Sequence, residues 1–409
     1  MSDLYPIYNH ARVLIEHQDP YIESAPTYDR LLSEGFLDSH SIAVYGLPIV
    51  PCVYPPTSLL LLTPLAMLHW GPAHFIWMGL IVSSLIIGSI LIWTVTLDQA
   101  PLISAVLIGF VLINSESVLF EGNAAGVAVA LCIVAVWSFV QERVVLLGSI
   151  CLAISLALKP HDSALVWLCF LLCGTAYRKR ALQSLLYVSV LAAVAVGWVR
   201  LVSPHWPREL ASNVAALSLR GGVNDPGPHS STGLIVNSAI NLQTVFAVIW
   251  DKPAFYNFAS YALCGLLFVF WLIRTIRSPM SIFRMWMSLA FISALSMLPI
   301  YHRHHDAKLL ILGVPACALL WSRHRASGMV AFLVTGLAIT MNADVPRAIL
   351  TNLESTMSFS DTTIFGKVLT ILLARPAPLA ILAMAIFYLW VYWRRFGEAD
   401  ACLPSRAGQ

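Results

Sequence analysis

The densest run of chemistry-bearing side chains is Tyr301-His302-Arg303-His304-His305-Asp306-Ala307-Lys308. Arginine and lysine at that spacing can grip an anion such as a phosphate. Histidines can carry protons near neutral pH, and a carboxylate can balance either role. A bare polar turn between two apolar stretches needs no such crowding. Anion recognition or proton handling is therefore expected of His302, Arg303, His305, Asp306 and Lys308. No metal is expected, because adjacent histidines in a turn lack the i, i+4 spacing of zinc-binding helices.

Three further clusters have chemistry within reach. Lys159-Pro160-His161-Asp162 puts a cation and an imidazole at the head of an apolar stretch. Lys159 could merely snorkel, or with His161 it could hold a phosphate beside helix N–H groups. Glu121-Gly122-Asn123, with Glu116 nearby, reads equally as a helix start in which Asn123 or Glu121 caps the first turn. Near the beginning stand Asp3, Tyr8, Arg12 and Asp19-Pro20-Tyr21. An acidic segment of this kind is usually just solvated. A carboxylate in a crevice beside a bilayer could also act as a general base on an acceptor hydroxyl. A helical reading of 3–17 spreads its apolar residues over several faces.

The elements that must position these clusters are hydrophobic. Of 409 residues, 58% are hydrophobic and 11% are charged, with a mean hydropathy of +0.78. A soluble chain carries about 25% charged residues, so lipid must cover much of this surface. The net charge of +3 is small, and no basic run resembles a nucleic-acid stripe, so no nucleic-acid partner is expected. Apolar runs near the length of a bilayer crossing fall at 72–96, 101–119, 122–140, 144–158, 163–177, 181–202, 256–273, 284–300, 307–321, 327–343 and 368–393. The expected fold is an all-α integral membrane protein, a polytopic bundle of about eleven transmembrane helices. Pro160 and the polar residues around it favour two helices rather than one broken helix across 144–177.

The charges orient the bundle. If the first span ends inside near Asp98, alternation places Arg143, Arg178-Lys179-Arg180, Arg274, Arg277, Arg284, Arg323, Arg325, Arg394 and Arg395 on the cytoplasmic side. The short loops left outside carry only Lys159, Arg303 and Lys308. This is the distribution of the positive-inside rule. It implies a multi-pass cell-membrane protein whose polar clusters face the extracytoplasmic side. The organisation is then a first extracytoplasmic loop with interfacial helices over 1–70, transmembrane helices over 71–202 and an extracytoplasmic loop over 203–255. Transmembrane helices follow over 256–395, then a cytoplasmic tail over 396–409. Residues 57–68 and 234–250 are apolar but short or polar-spotted, and read as interfacial or re-entrant helices. The segment 344–367 also lies outside. Most cysteines sit in apolar runs and behave as small hydrophobes. Cys169 and Cys173 lie one helical turn apart with no matching ligand beside them.

The ordered set Asp3, Tyr8, Ala11-Arg12, Leu14, Asp19-Pro20-Tyr21, then Tyr54-Pro55-Pro56, Leu61-Leu62 and Pro64-Leu65-Ala66, resembles the front of glycosyltransferase family 87. These are polyprenyl-phosphate-mannose-dependent mannosyltransferases of the GT-C superfamily. Gly122-Asn123, Lys159-Pro160 and His305-Asp306 with Leu309-Leu310 look like later segments of that family, so the likeness runs from residue 3 to about residue 320. The resemblance implies a GT-C-like bundle and inverting transfer of a hexose, mannose first, from a polyprenyl-phosphate donor to a lipid or glycan acceptor, without a cofactor. Carried over by position, Asp3 would be the catalytic base with Asp19 in reserve. Arg12, Tyr21, Asn123, Lys159, His161, His302, Arg303, His305, Asp306 and Lys308 would face the donor or the acceptor. Family members have a helix before the first loop, and a start upstream of Met1 is expected to supply it; without it Asp3 would fray near the chain end. Gln18 stands where the family has glycine before Asp-Pro-Tyr.

Two other classes compete with the hexosyltransferase. A transporter or lipid flippase would bury ionisable residues near the bilayer midplane on broken helices in both halves, whereas the polar groups here gather at helix ends. An inactive, truncated relative is the third reading.

Overall fold

The computed structural model describes residues 3–22, 51–220, 224–227, 239–343, 346, 349 and 363–394. Residues 23–50 of the expected first loop, residues 234–238 of the expected re-entrant piece, most of the expected outer segment 344–367, and Arg395 with the 396–409 tail lie outside the described residues. Those described are helical throughout, apart from turns and one isolated antiparallel bridge between Ala239 and Arg303.

The chain opens with α1 (Leu4–Ile15) and α2 (Pro56–Ala66). Contrary to the spread expected of 3–17, α1 turns Leu4, Ile7, Tyr8, Ala11 and Leu14 to one face against its neighbours. Asn9 and His10 are buried as well, so the helix is enclosed nearly all round. Pro56 starts α2 at its first position, where its lost N–H has no partner to miss. Next come α3 (Trp70–Thr96), α4 (Pro101–Ile113), α5 (Glu116–Glu121), α6 (Ala125–Gln141), α7 (Val145–Leu158), α8 (Pro160–Leu172), α9 (Thr175–Val202) and α10 (Trp206–Ser218). The second half holds α11 (Leu242–Ile249), α12 (Pro253–Arg277), α13 (Ile282–Ser296), a 3-10 helix (Asp306–Leu312), α14 (Gly313–Arg323), α15 (Arg325–Met341), α16 (Ile364–Ala374) and α17 (Pro376–Trp393).

This is an all-α membrane protein. Five helical stretches are long and apolar enough to cross a bilayer: α3, the α4–α5 stretch Pro101–Glu121, α9, α12 and α17. Their outer faces carry bare apolar side chains, such as Phe75, Ile86 and Ile90 on α3 and Leu186 and Val190 on α9. The other six expected spans fold as α6, α7, α8, α13, α14 and α15, each between 11 and 17 residues long. At 1.5 Å per residue these rise at most about 26 Å, short of a hydrocarbon core of about 30 Å. Polar turns at Asn123, Lys159 and 301–306 cut several of them short.

Some boundaries differ from expectation. The 368–393 run is two helices, because Pro376 cannot continue a helix and holds Arg375 outside the helical region (φ −129°, ψ 45°). The 101–119 run turns at Asn114-Ser115. Arg178-Lys179-Arg180 lies inside the first turns of α9 rather than in a loop, since the break falls at Gly174, whose φ of 118° only glycine adopts readily. The 234–250 piece has α11 as its described helix, capped by the Asn241 side chain.

One large core surrounds α13, where Met285, Trp286, Phe291 and Leu295 pack against Phe170, Trp271 and Tyr388. A second joins α1 and α2 to α3 through Leu4, Tyr8, Leu59, Trp77 and Ile81. Several arginines gather at one set of helix ends, while Arg200 and Arg375 stand at the other ends of α9 and α17. Arg180 donates to the Phe139 carbonyl at the end of α6 and to Glu142, while Arg178 Nε reaches the Leu171 carbonyl at the end of α8. Cations on helix C-termini complement the helix dipole. Arg284 lies over Tyr392, Arg323 over Phe283 and Arg394 over Trp390. The polar clusters occupy the opposite ends of α6, α7 and α13.

Candidate functional site

The backbone around each cluster is held by specific bonds. A helix leaves its last carbonyls without intrahelical partners. Those of α7 are met from α2, where Thr57 Oγ1 donates to Ala157 O at 2.7 Å and Ser58 Oγ to Leu158 O at 2.8 Å. Lys159 follows in an extended conformation (φ −149°, ψ 79°) and separates α7 from α8 as two helices, as expected. Gly122 ends α5 in the left-handed region (φ 64°), and its carbonyl accepts from Trp77 Nε1 at 2.8 Å. Asn123 Oδ1 then accepts from Ala125 N at 2.9 Å, an Asx turn that leads into α6 one residue before its N-cap, Ala124. The turn after α13 is tied down by Leu242 N on Leu298 O (2.9 Å) and Ile240 N on His302 O (3.0 Å). Asp306 Oδ2 closes it by accepting from Arg303 N at 2.9 Å.

These supports bring four distant segments together. Asp3 is not frayed: its N–H donates to Glu121 O at 2.5 Å, and its Oδ2 accepts from Asn123 Nδ2 at 2.7 Å. Lys159 Nζ reaches Asn123 Oδ1 at 3.2 Å and pairs directly with Asp306 Oδ1. A continuous polar path thus runs Asp3–Asn123–Lys159–Asp306. His305 Nδ1 lies 3.3 Å from Glu121 Oε2, and its Nε2 lies 3.5 Å from Asp306. Arg303 Nε donates to the Tyr301 hydroxyl. His161 Nε2 and His302 Nε2 each lie 3.6 Å from Asp162 Oδ1.

The electrostatics follow from burial and pairing. Burial alone would depress the Lys159 ammonium, but Asp162 and Asp306 outweigh it and hold its pKa above the ordinary value. Burial works the other way on Asp306, and Lys159 beside it keeps the carboxyl well below the usual range. The pair is therefore ionised. Burial, then the Asp3 and Cys52 charges, push the Tyr54 phenol upward against the opposing field of Arg303. Arg303 in turn feels Asp3 and Glu121.

Four expected site residues are placed differently. Arg12 bonds the Tyr8 hydroxyl at 3.0 Å and pairs with Glu16 at 3.5 Å, nine residues along α1 from Asp3, which is about 13 Å. Asp19 accepts from Tyr21 N at 2.9 Å, a local turn beyond the far end of α1. That bond makes the turn with Gln18 before it. Tyr21 touches the cluster only through its hydroxyl, which donates to Tyr54 O at 2.9 Å. Lys308 is buried and donates to the Asn114 carbonyl at the end of α4. Conversely, Tyr54 and Asp162 belong to the assembled site without a role expected from the sequence, and Glu121, expected only as a helix cap, faces His305. Asp162 carried the clearest sequence signal, since it adjoins His161 on a helix start.

Chemically, the arrangement offers the Asp3 carboxylate across the Asn123 amide from the Lys159 ammonium, with the Arg303 guanidinium in the field of Asp3 and imidazoles nearby. Among the described residues, two groups of side chains could also surround a cation: His161, Asp162, His302 and Asp306, and Glu121, His304 and His305. The 301–308 turn alone lacks the spacing of a zinc-binding helix, and α8 supplies the partners that the turn lacks. No protein family, characterised protein or solved structure matches this chain.

Proposed function

We propose that this protein is a membrane hexosyltransferase that moves a sugar, mannose first, from a polyprenyl-phosphate donor to an extracytoplasmic lipid or glycan acceptor with inversion. The observation that carries the reading is the contact path from Asp3 through Asn123 to Lys159 and Asp306. A long polyprenyl carrier stays in the bilayer, so its phosphate must be met where helix ends reach the membrane surface. Inverting displacement at the anomeric carbon needs one base on the acceptor hydroxyl and cations on the departing phosphate. Asp3 is the candidate base. Lys159 and Arg303 are the candidate phosphate ligands, and Arg303 offers a planar fork suited to phosphate oxygens. Asn123 positions the first two, holding the Asp3 carboxylate through Nδ2 and Lys159 through Oδ1. The gathering of arginines at the opposite helix ends supports an extracytoplasmic position for this cluster.

The test is an assay of purified protein in lipid with a panel of polyprenyl-phosphate sugars and crude lipid acceptors. Transfer of hexose from one of them, with inverted anomeric configuration, is the expected result. Absence of turnover across the panel, by protein shown to be folded, would overturn the reading.

A further inference from the structure

Between the head of α8 and the turn after α13, a ring nitrogen and a carboxylate oxygen face each other, both buried and, among the described residues, neither hydrogen-bonded. His302 Nδ1 lies 3.2 Å from the Ile300 carbonyl. A carbonyl oxygen only accepts, so Nδ1 carries the proton of the neutral ring and Nε2 presents a lone pair. That Nε2 lies 3.6 Å from Asp162 Oδ1, and both side chains are 0% exposed. The gap is too wide for a hydrogen bond. Among the described residues, neither atom has a hydrogen-bond partner, and nor does Asp162 Oδ2. His161 Nε2 approaches the same Oδ1, also at 3.6 Å. Lys159 stands 3.7 Å from Asp162 Oδ2 but is engaged by Asp306. Two imidazole nitrogens therefore share one buried carboxylate oxygen, an arrangement that is costly unless a cation sits among them.

We propose that His161 Nε2, His302 Nε2 and the Asp162 carboxylate hold a divalent first-row metal ion, zinc fitting best. An ion about 2.1 Å from both atoms of such a pair subtends about 120° between them, within the range of tetrahedral and trigonal zinc sites. Asp306 belongs to the same group, whose ligand atoms all lie within 4.8 Å of one another. It stands as a fourth ligand or as the acceptor for a metal-bound water. Two histidines with one carboxylate leave a coordination position open, as in sites that bind exchangeable ligands. The His302 Nδ1 contact with Ile300 O is the outer bond that orients a metal-binding imidazole and fixes its tautomer. The His161 side chain is 35% exposed and gives the ion its way in. This metal site stands independently of the transferase reading.

The experiment uses tag-free, full-length protein in detergent, stripped with chelator and titrated with zinc chloride alone. Cobalt serves as the spectroscopic probe. Wild type should bind one equivalent per chain, and cobalt should give the intense d–d bands of a four-coordinate site. Asp162→Asn and His161→Ala should each weaken binding by about 100-fold or more. His161 is partly exposed, so its truncation should leave a folded protein, checked by thermal melting, even if Asp162→Asn does not. His205→Ala, at the head of α10, should bind like wild type. Absence of saturable zinc binding by folded wild type, or unchanged affinity in His161→Ala, would overturn the proposal.

Discussion

Lys159 and Asp306, 147 residues apart in the chain, form an ion pair whose side chains are 14% and 3% exposed. Breaking a buried pair on one side leaves an uncompensated charge and costs about 3–5 kcal/mol. Lys159→Met should therefore lower the melting temperature in detergent sharply. Adding Asp306→Leu should recover part of the loss, although the bond from Arg303 N to Asp306 is lost with it. Tryptophan fluorescence during heating reads both effects. A double variant as unstable as the two single losses combined would show that the two charges are not coupled.

Asp3→Asn keeps an oxygen to accept from Asn123 Nδ2 but removes the basicity. Proton transfer by a positioned base contributes about 10²- to 10⁴-fold, and hexose transfer should fall by that factor with the melting temperature nearly unchanged. Asp19→Asn, altered at a turn beyond α1, should turn over close to wild type. Initial rates with labelled polyprenyl-phosphate hexose separate the two variants. Full activity in Asp3→Asn would remove Asp3 as the base.

Much of this arrangement was legible in the residues. Charge scarcity and long apolar runs required a membrane protein, and the arginines predicted that helix ends would segregate, as Arg180, Arg284 and Arg323 do. Crowding at 301–308 marked the centre of the polar cluster. Pairings across the chain were not legible, because nothing local tells Lys308 to reach Asn114 while Lys159 takes Asp306. Asp162 was passed over for a related reason. Its significance comes from His302, on another segment, and from complete burial, which an apolar sequence window does not reveal. The hydrophobic runs also concealed helix breaks such as Arg375-Pro376, where one proline outweighs a continuous apolar signal.

Gly122 links backbone strain to the site. Its φ of 64° would cost an L-residue about 1–2 kcal/mol, and it sits between Glu121, whose carbonyl holds Asp3 N, and Asn123, which holds the Asp3 carboxylate. Gly122→Ala should lower the melting temperature modestly and lower transfer further than stability alone explains. Gly109→Ala is the control. It lies within α4 with nothing inside 4 Å of a new methyl group, and should be neutral or stabilising by up to about 1 kcal/mol. Equal behaviour of the two variants would deny Gly122 a positioning role.

His10 makes stability depend on pH through a group outside the proposed chemistry. Burial, only partly offset by the nearby Pro6 carbonyl, depresses its pKa from 6.5 to about 4. A group depressed on folding binds its proton more readily when unfolded. Neutral His10 therefore contributes its full stability above pH 6.5. That contribution, at most about 3 kcal/mol, fades as pH falls from 6.5 towards 4. His10→Gln cannot ionise and keeps a polar side chain at the same place. Between pH 7 and pH 5 the wild-type melting temperature should drop more steeply than that of His10→Gln, whatever the two values are at pH 7. Parallel curves for the two proteins would mean that the His10 ring reaches water or an acceptor when charged, and that its burial does not set its titration.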